Sequence, residues 1–261
     1  MDLGLHGVPC AVAGASRGLG YAIALELARE GARVAICSRD RSSIDLAAER
    51  IRAETSSEVL AVTADVSHST EAAMFVDEAA DAFGGLQVMV TNSGGPPPGL
   101  PDSFEEADWR AALELNFFSS VSLATAALAH IRKQSWGRIV LITSSVVKQP
   151  DPNLSLSSAA RSAVTAFAKT LATTVARDGI TVNCVMPGQI ATDRLSSMAG
   201  APPGAPADHT AFSEMAAQIP VGRVGEPYEF AAAVAFLCSK RASFINGVAL
   251  QVDGGFIRSL L

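Results

Sequence analysis

The stretch that decides the fold is Val8-Pro9-Cys10-Ala11-Val12-Ala13-Gly14-Ala15-Ser16-Arg17-Gly18-Leu19-Gly20. Its apolar first half predicts a buried strand, and the residues that follow Leu19 have helical periodicity. Glycines at positions 14, 18 and 20 permit a tight turn and a close approach of backbone N–H groups to a ligand. Because the positive end of the helix dipole faces such a turn, the stretch predicts a site for a dinucleotide pyrophosphate.

The rest of the chain alternates short apolar runs with amphipathic segments. The predicted strands are Val8–Ala13, Arg33–Cys37, Val59–Thr63, Leu86–Val90, Arg138–Ile142, Thr181–Val185 and Val248–Val252. The predicted helices are Leu19–Arg29, Ser43–Glu54, Thr70–Phe83, Pro227–Cys238 and two longer ones, from about Phe104 to Gln134 and from about Ser157 to Arg177. Apolar strands alternating with helices indicate a parallel sheet covered on both faces. We therefore predict a single α/β domain over residues 1–261, a Rossmann fold with a doubly wound, seven-stranded parallel sheet.

Residues 192–219 interrupt this periodicity. The segment is rich in alanine, proline and glycine, and it follows the carboxyl end of a predicted strand. Open α/β sheets bind ligands at that end, so we interpret the segment as a substrate lid. A plain mobile loop is the alternative interpretation.

Composition excludes several classes of function. The formal net charge of −6 argues against non-specific nucleic-acid binding, and no apolar run reaches the roughly 18 residues of a membrane span. The N-terminus lacks a basic stretch followed by an apolar one, so we expect no signal peptide. The four cysteines lie far apart and the four histidines join no acidic cluster. We expect a cytoplasmic protein with buried thiols, no metal, no nucleic-acid partner and no membrane association.

The end of the second predicted strand indicates which dinucleotide binds. Ser38 and Arg39 stand where a carboxylate would bind the adenosine ribose diol, and Arg17 lies in the glycine turn. Two guanidinium groups near a ribose suit a 2′-phosphate, which favours NADP(H) over NAD(H). The alternative is that both arginines are solvated surface residues. Asp65, after the third strand, suits a hydrogen bond to the adenine amine, and Asn92-Ser93-Gly94 follows the fourth strand.

Several motifs together resemble the short-chain dehydrogenase/reductase family over nearly the whole chain, most closely its β-ketoacyl-acyl-carrier-protein reductase type. They are the glycine turn, Leu115-Asn116-Phe117, Pro187-Gly188-x-x-x-Thr192, Gly225-Glu226-Pro227, Asn246-Gly247 and Val252-Asp253-Gly254-Gly255. The resemblance implies that Ile190 and Thr192 hold the nicotinamide carboxamide. The predicted cofactor site comprises Gly14, Ser16, Arg17, Gly18, Leu19, Gly20, Ser38, Arg39, Asp65, Val66, Asn92, Ser93, Gly94, Arg161, Pro187, Gly188, Ile190 and Thr192.

The resemblance also implies a reaction centre of asparagine, serine, tyrosine and lysine, of which only two are present. Asn116 and Ser144 match, whereas Ser157 and Arg161 occupy the tyrosine and lysine positions. Their i, i+4 spacing places them on one helix face. A phenol with a pKa of ~10 can be tuned toward neutrality, but an aliphatic hydroxyl has no comparable anion. An arginine stays protonated, so Arg161 can bind ribose hydroxyls but cannot relay a proton by titrating.

Two residues of this centre have alternative interpretations. Ser157 lies among other small polar residues, so it either takes part in the site or simply caps or packs in its helix. Lys148, four residues after Ser144, either presents its ammonium group to a carbonyl oxygen or an acidic substrate, or is a solvated loop residue. The candidate catalytic residues are Asn116, Ser144, Lys148, Ser157 and Arg161.

These residues lead to three functional hypotheses. The first is an atypical NADP(H)-dependent oxidoreductase that reduces a ketone, either 3-oxoacyl-like or biosynthetic, on a small-molecule or carrier-bound substrate. The second is a non-redox biosynthetic enzyme (a cyclase, dehydratase or isomerase) or a nucleotide-binding pseudoenzyme on the same fold. The third is a degenerate family member kept for assembly. The resemblance implies a homotetramer or a homodimer.

Overall fold

The computed structural model describes residues 1–260, and seven parallel strands form its central sheet. Their order is β3-β2-β1-β4-β5-β6-β7. The strands are β1 (Pro9–Val12), β2 (Arg33–Ser38), β3 (Val59–Thr63), β4 (Val88–Thr91), β5 (Gly137–Ile142), β6 (Ile180–Pro187) and β7 (Ala249–Val252). This all-parallel arrangement confirms the predicted fold class.

Nine α-helices connect and cover the strands among the described residues. They are α1 (Gly18–Arg29), α2 (Arg41–Thr55), α3 (Ser69–Phe83), α4 (Glu106–Leu113), α5 (Ser119–Ile131), α6 (Ser155–Val175), α7 (Asp193–Ala199), α8 (Ser213–Ala216) and α9 (Pro227–Cys238).

The core forms two layers, one on each face of the sheet. Cys10 and Val12 of β1 point into the layer that contains the apolar residues of α1, α2 and α9. Ala11 and Ala13 point into the opposite layer, with residues of α3, α5 and α6. Successive residues of a strand face opposite sides, so a strand buried on both sides is a nearly continuous apolar run.

The position of the ligand cleft follows from the strand order. β1 pairs with β2 on one side and with β4 on the other, so the winding of the chain reverses between β1 and β4. The connections after these two strands leave in opposite directions and open a crevice at their carboxyl ends, where α/β sheets bind ligands.

The predicted long helix from about Phe104 to Gln134 is present, but it is shorter at both ends and contains an irregular turn. The helical segment begins at Glu106 and ends at Ile131, and a π-helical turn over Glu114–Phe118 separates α4 from α5. The segment is long and apolar enough to cross a membrane. This is a weak indication, because core helices pass the same test, and α5 contributes Leu123, Ala124 and Ala127 to the core.

Residues 192–219 have more regular structure than their composition suggests. The segment contains α7, α8 and a short 3₁₀ turn over Thr210–Phe212. Leu195, Phe212 and Ile219 form a small apolar cluster of their own with Val224. The segment therefore packs as a separate unit beyond the carboxyl ends of the strands, and its closure over a substrate stays a prediction.

All four cysteines are buried and free. Burial raises the pKa of the Cys37, Cys184 and Cys238 thiols to about 12. These thiols therefore pack as small apolar side chains.

Candidate functional site

The turn after β1 requires glycines, because a side chain would be strained or would not fit at these positions. Gly14 and Gly18 both have φ near +60°, which favours glycine. A Cβ on Gly20 would lie 2.2 Å from the Gly14 carbonyl oxygen, so α1 packs closely against the turn. The Asn92 amide, arriving from β4, donates hydrogen bonds to the carbonyl oxygens of Ala13 (3.2 Å) and Gly14 (3.1 Å). The turn therefore fits the pyrophosphate that the sequence predicts there.

The predicted 2′-phosphate arginines lie at the surface beside this turn. The Arg17 side chain is 79% exposed, and its nearest acid is Asp193, at 3.5 Å. Arg39 is exposed at the end of β2. Partial burial alone would raise the pKa of Asp65, but hydrogen bonds from Ser67 and the charge of Arg39 lower it below the usual range. Arg39 and Asp65 therefore lie together at the ends of β2 and β3, where the adenosine half of a dinucleotide is predicted.

Thr192, one of the two residues predicted to hold the nicotinamide carboxamide, faces the glycine turn. The Thr192 methyl carbon lies 3.7 Å from where a Cβ on Gly18 would be. Thr192 caps α7 by accepting a hydrogen bond from the Leu195 amide (3.4 Å), and its hydroxyl donates to the Ile190 carbonyl (3.3 Å). Gly188 allows close packing, because a Cβ there would lie 2.6 Å from Cβ of Asp253. The predicted pyrophosphate turn and the residue predicted to hold the nicotinamide thus lie next to each other.

Asn116 is held in the π-helical turn between α4 and α5. Its amide nitrogen donates to the Ser93 hydroxyl (2.8 Å) and to the Gly94 carbonyl (2.7 Å). The residue is 1% exposed, and its Oδ1 has no hydrogen-bond partner among residues 1–260. A buried acceptor without a partner is costly, so this oxygen is suited to a donor from water or a ligand.

Ser144 and Lys148 flank a 3₁₀ turn, Ser145–Val147, directly after β5. Ser144 is half-buried, and its oxygen accepts a weak hydrogen bond from the Val146 amide (3.3 Å). Its hydroxyl proton therefore stays available to a substrate oxygen. The half-buried Lys148 has no hydrogen-bond or ion-pair partner for its ammonium group in the described part of the chain. Its side chain is thus available to a ligand.

Arg161 is joined to Asn116 through a shared acceptor. Its guanidinium donates to the Ile142 carbonyl at the end of β5 (3.0 Å) and, at 3.4 Å, to the Gly94 carbonyl that Asn116 also contacts. Arg161 is 9% exposed. Burial, and then the neighbouring charge of Arg194, lowers its pKa to about 10, so it remains a cation near neutral pH.

The interpretation of Ser157 as a helix cap is wrong. Leu154 precedes α6 and Ser155 is its first residue, so Ser157 lies inside the first turn, where it is buried. Its hydroxyl has no hydrogen-bond partner among the described residues. Neither tyrosine of the chain replaces the missing phenol, because Tyr21 lies in α1 near Glu54 and Tyr228 is 61% exposed on α9.

Arg194 also lies at this cleft, although the sequence analysis did not name it as a candidate. It extends from α7 across to the turn after β4 and donates to the carbonyl oxygens of Gly95 and Pro96, both at 3.0 Å. Partial burial lowers its pKa, although the residue as a whole remains accessible at the cleft. The only local signal was a basic residue two positions after Thr192.

Comparisons with known proteins agree with this fold. The family model described as Enoyl-(Acyl carrier protein) reductase matches residues 14–257. The 3-oxoacyl-[acyl-carrier-protein] reductase of Vibrio cholerae is 34% identical over 97% of this chain and 98% of its own. The crystal structure of YwfH, an NADPH-dependent reductase involved in bacilysin biosynthesis, has a TM-score of 0.91 at 30% identity and covers 97% of this chain and 100% of its own.

A second solved structure carries a bound cofactor. An NADPH-bound short-chain oxidoreductase of Pseudomonas aeruginosa, with an atypical catalytic center, has a TM-score of 0.90 at 27% identity. It covers 97% of this chain and 99% of its own. With the family match over most of its length, the chain belongs to the short-chain dehydrogenase/reductase family.

Proposed function

We propose that the protein is an NADP(H)-dependent oxidoreductase that reduces a ketone on a small-molecule or carrier-bound substrate. One observation carries this proposal: Asn116 and Arg161 meet at the Gly94 carbonyl, beside the end of the strand that leads to Ser144. These polar groups lie at the carboxyl ends of β4 and β5, in the crevice that also contains the glycine turn.

NADP(H) is the cofactor that suits this cleft. Gly14, Gly18 and Gly20 leave room for a pyrophosphate, and Arg17 and Arg39 offer guanidinium groups for a 2′-phosphate. The NADPH dependence of YwfH and the NADPH bound to the Pseudomonas aeruginosa relative support this assignment.

The chain's own residues would then orient and polarise the carbonyl group. When bound in this cleft, NADPH would supply the hydride that the carbonyl carbon accepts. The Ser144 hydroxyl donates a hydrogen bond to the carbonyl oxygen, and the buried charge of Arg161 adds positive potential as negative charge develops there. The oxygen takes its proton from Lys148 or from water. Without a tunable phenol to act as a base, reduction should be easier than alcohol oxidation.

The direct test is transfer of deuterium from the 4-position of NADPH to the product. Ser144→Ala should lower kcat/KM ~100-fold and leave the Kd for NADPH unchanged, because Ser144 acts on the carbonyl oxygen and not on the nucleotide. Ser135→Ala, at an exposed serine elsewhere, is the matched control. Full activity in Ser144→Ala would overturn the role of Ser144, and absence of label transfer would overturn the proposed reaction.

A non-redox function is the second candidate, because the site lacks a phenol. Ser157 is buried without a hydrogen-bond partner in the described chain, and Arg161 cannot relay a proton by titrating. Tight NADPH binding with no turnover across a panel of ketones would favour a cyclase, dehydratase, isomerase or nucleotide-binding regulator on the same fold.

We also propose that the protein acts in the cytoplasm as a homotetramer or homodimer. The open edge of the sheet supports assembly, since β7 ends the strand order and carries accessible apolar residues.

A further inference from the structure

From the placement of Arg161 and Arg194, we propose that the substrate is an oxo acid whose carboxylate is bound by these two guanidinium groups. The inference rests on the proposed reductase function and narrows its substrate class. It also makes Arg194 a residue that determines specificity.

One short turn brings the two cations together. The Gly94 carbonyl accepts a hydrogen bond from Arg161, and the next two carbonyls, of Gly95 and Pro96, accept from Arg194. The two side chains come from α6 and from α7, so tertiary structure, not local sequence, creates the pair. Their proximity is unfavourable by itself, because like charges repel.

No carboxylate in residues 1–260 offsets these charges. Neither Arg161 nor Arg194 takes part in any of the ion pairs of the described chain. The acid nearest in sequence, Asp193, faces Arg17 and the Gly204 amide instead. Arg161 is buried and bound only to peptide carbonyls, which is costly for a cation, and an anion that reached it from the accessible side of Arg194 would lower that cost.

Both arginines keep N–H groups that could donate hydrogen bonds to such an anion. A guanidinium has five N–H groups, and each of these two arginines uses two of its nitrogens on peptide carbonyls. The remaining donors suit the two oxygens of a carboxylate. The half-buried Lys148 follows β5 and adds a third positive charge at the same carboxyl edge of the sheet.

The position of the pair favours a substrate carboxylate over a phosphate of the cofactor. Arg194 lies two residues after Thr192, which is predicted to hold the nicotinamide. The peptide carbonyls that Arg194 contacts lie in the turn after β4. The pyrophosphate has its own site in the glycine turn, where Arg17 adds positive charge. A carboxylate at Arg161 and Arg194 would therefore place an oxo group near Ser144.

The test is calorimetric titration of the NADP⁺-loaded protein with acetate, hexanoate and benzoate, each compared with the amide of the same size. At least one carboxylate should bind ~10-fold more tightly than its amide, because only the charged group gains from the guanidinium pair. Arg194→Gln should remove most of this preference. Arg110→Gln, at an exposed arginine paired with Glu106, is the matched control and should keep it.

Two results would overturn the proposal. One is equal affinity, or no binding at all, for the three acids and their amides. The other is an Arg194→Gln variant that keeps the preference but binds NADP⁺ more weakly, since the guanidinium would then serve a cofactor phosphate. The titration requires no turnover, so the carboxylate preference stands or falls separately from deuterium transfer.

Discussion

At the scale of single residues, the proposed function depends on position 157, where the resemblance implies a tyrosine and the chain has Ser157. Ser157 and Arg161 lie on one face of α6 and are both buried, so the face is directed into the protein and not into bulk solvent. A serine there can neither ionise near neutral pH nor reach as far as a phenol. The site keeps a positive charge at position 161, because Arg161 stays protonated near neutral pH.

This assignment predicts the effect of restoring the missing pair. The double variant Ser157→Tyr with Arg161→Lys should increase NADPH-dependent reduction of ethyl acetoacetate ~100-fold, the usual contribution of general acid catalysis. Its rate should also acquire a pH dependence from the new phenol. Steady-state kcat/KM between neutral and alkaline pH measures both effects.

Arg161→Lys alone is the control, since it changes the cation without adding an acid. Circular dichroism shows whether the larger side chain at position 157 still permits folding. A folded double variant with unchanged kcat/KM would show that the reaction does not depend on a proton donor at this position.

The sequence could predict which candidate residues share a helix face, but not which groups they contact. The i, i+4 spacing gives Ser157 and Arg161 a common face, because that relation is local. The acceptors of Arg161 lie at the end of β5 and in the turn after β4, and Arg194 contacts Gly95, which is 99 residues away in the chain. Only tertiary packing brings such groups together.

At the scale of elements, the π-helical turn at Glu114–Phe118 is what positions Asn116. A wider turn inserts one residue without changing the apolar character of the segment, so periodicity predicted an unbroken helix. Ser120 donates to the Asn116 carbonyl (2.7 Å), and the Asn116 amide is directed at Ser93 and Gly94. The irregular element thus coincides with a predicted catalytic residue, as π-turns often do.

The start of α9 gives a prediction about stability and pH. Glu229 accepts two hydrogen bonds from Arg223 and one from the Glu226 amide (2.8 Å). These interactions lower its pKa from 4.5 to about 2. Glu229→Gln should therefore lower the free energy of unfolding by ~1 kcal/mol near neutral pH, a modest value because Arg223 is half exposed.

The sign of the pH dependence follows from that lowered pKa. A carboxylate that is more acidic in the folded state stabilises fully above pH 4.5 and loses this contribution as the pH falls toward 2. Urea titrations should show the two proteins converging over that interval. Glu106→Gln, which removes an exposed pair with Arg110, is the control and should cost less. A difference that stays constant with pH would contradict the role given to ionised Glu229.

At the scale of the whole molecule, the sheet was the most predictable feature. Strands that are buried on both faces consist mostly of apolar residues, and this pattern is visible without tertiary information. The helices of residues 192–219 were not predictable in the same way, since their alanine, proline and glycine content masks periodicity. Their cluster forms around Phe212, which packs against residues distant in the segment.

The edge of the sheet gives the last prediction. Val248 and Leu250 lie two residues apart on or next to β7, so they face the same side, and they are 38% and 37% exposed. An open apolar edge favours pairing with a second copy. Light scattering should give the mass of a tetramer or dimer, and Leu250→Glu should shift it toward the monomer without unfolding the chain. Met74→Glu, at an exposed apolar residue of α3, should leave the mass unchanged. A monomeric wild-type protein would contradict assembly through this edge.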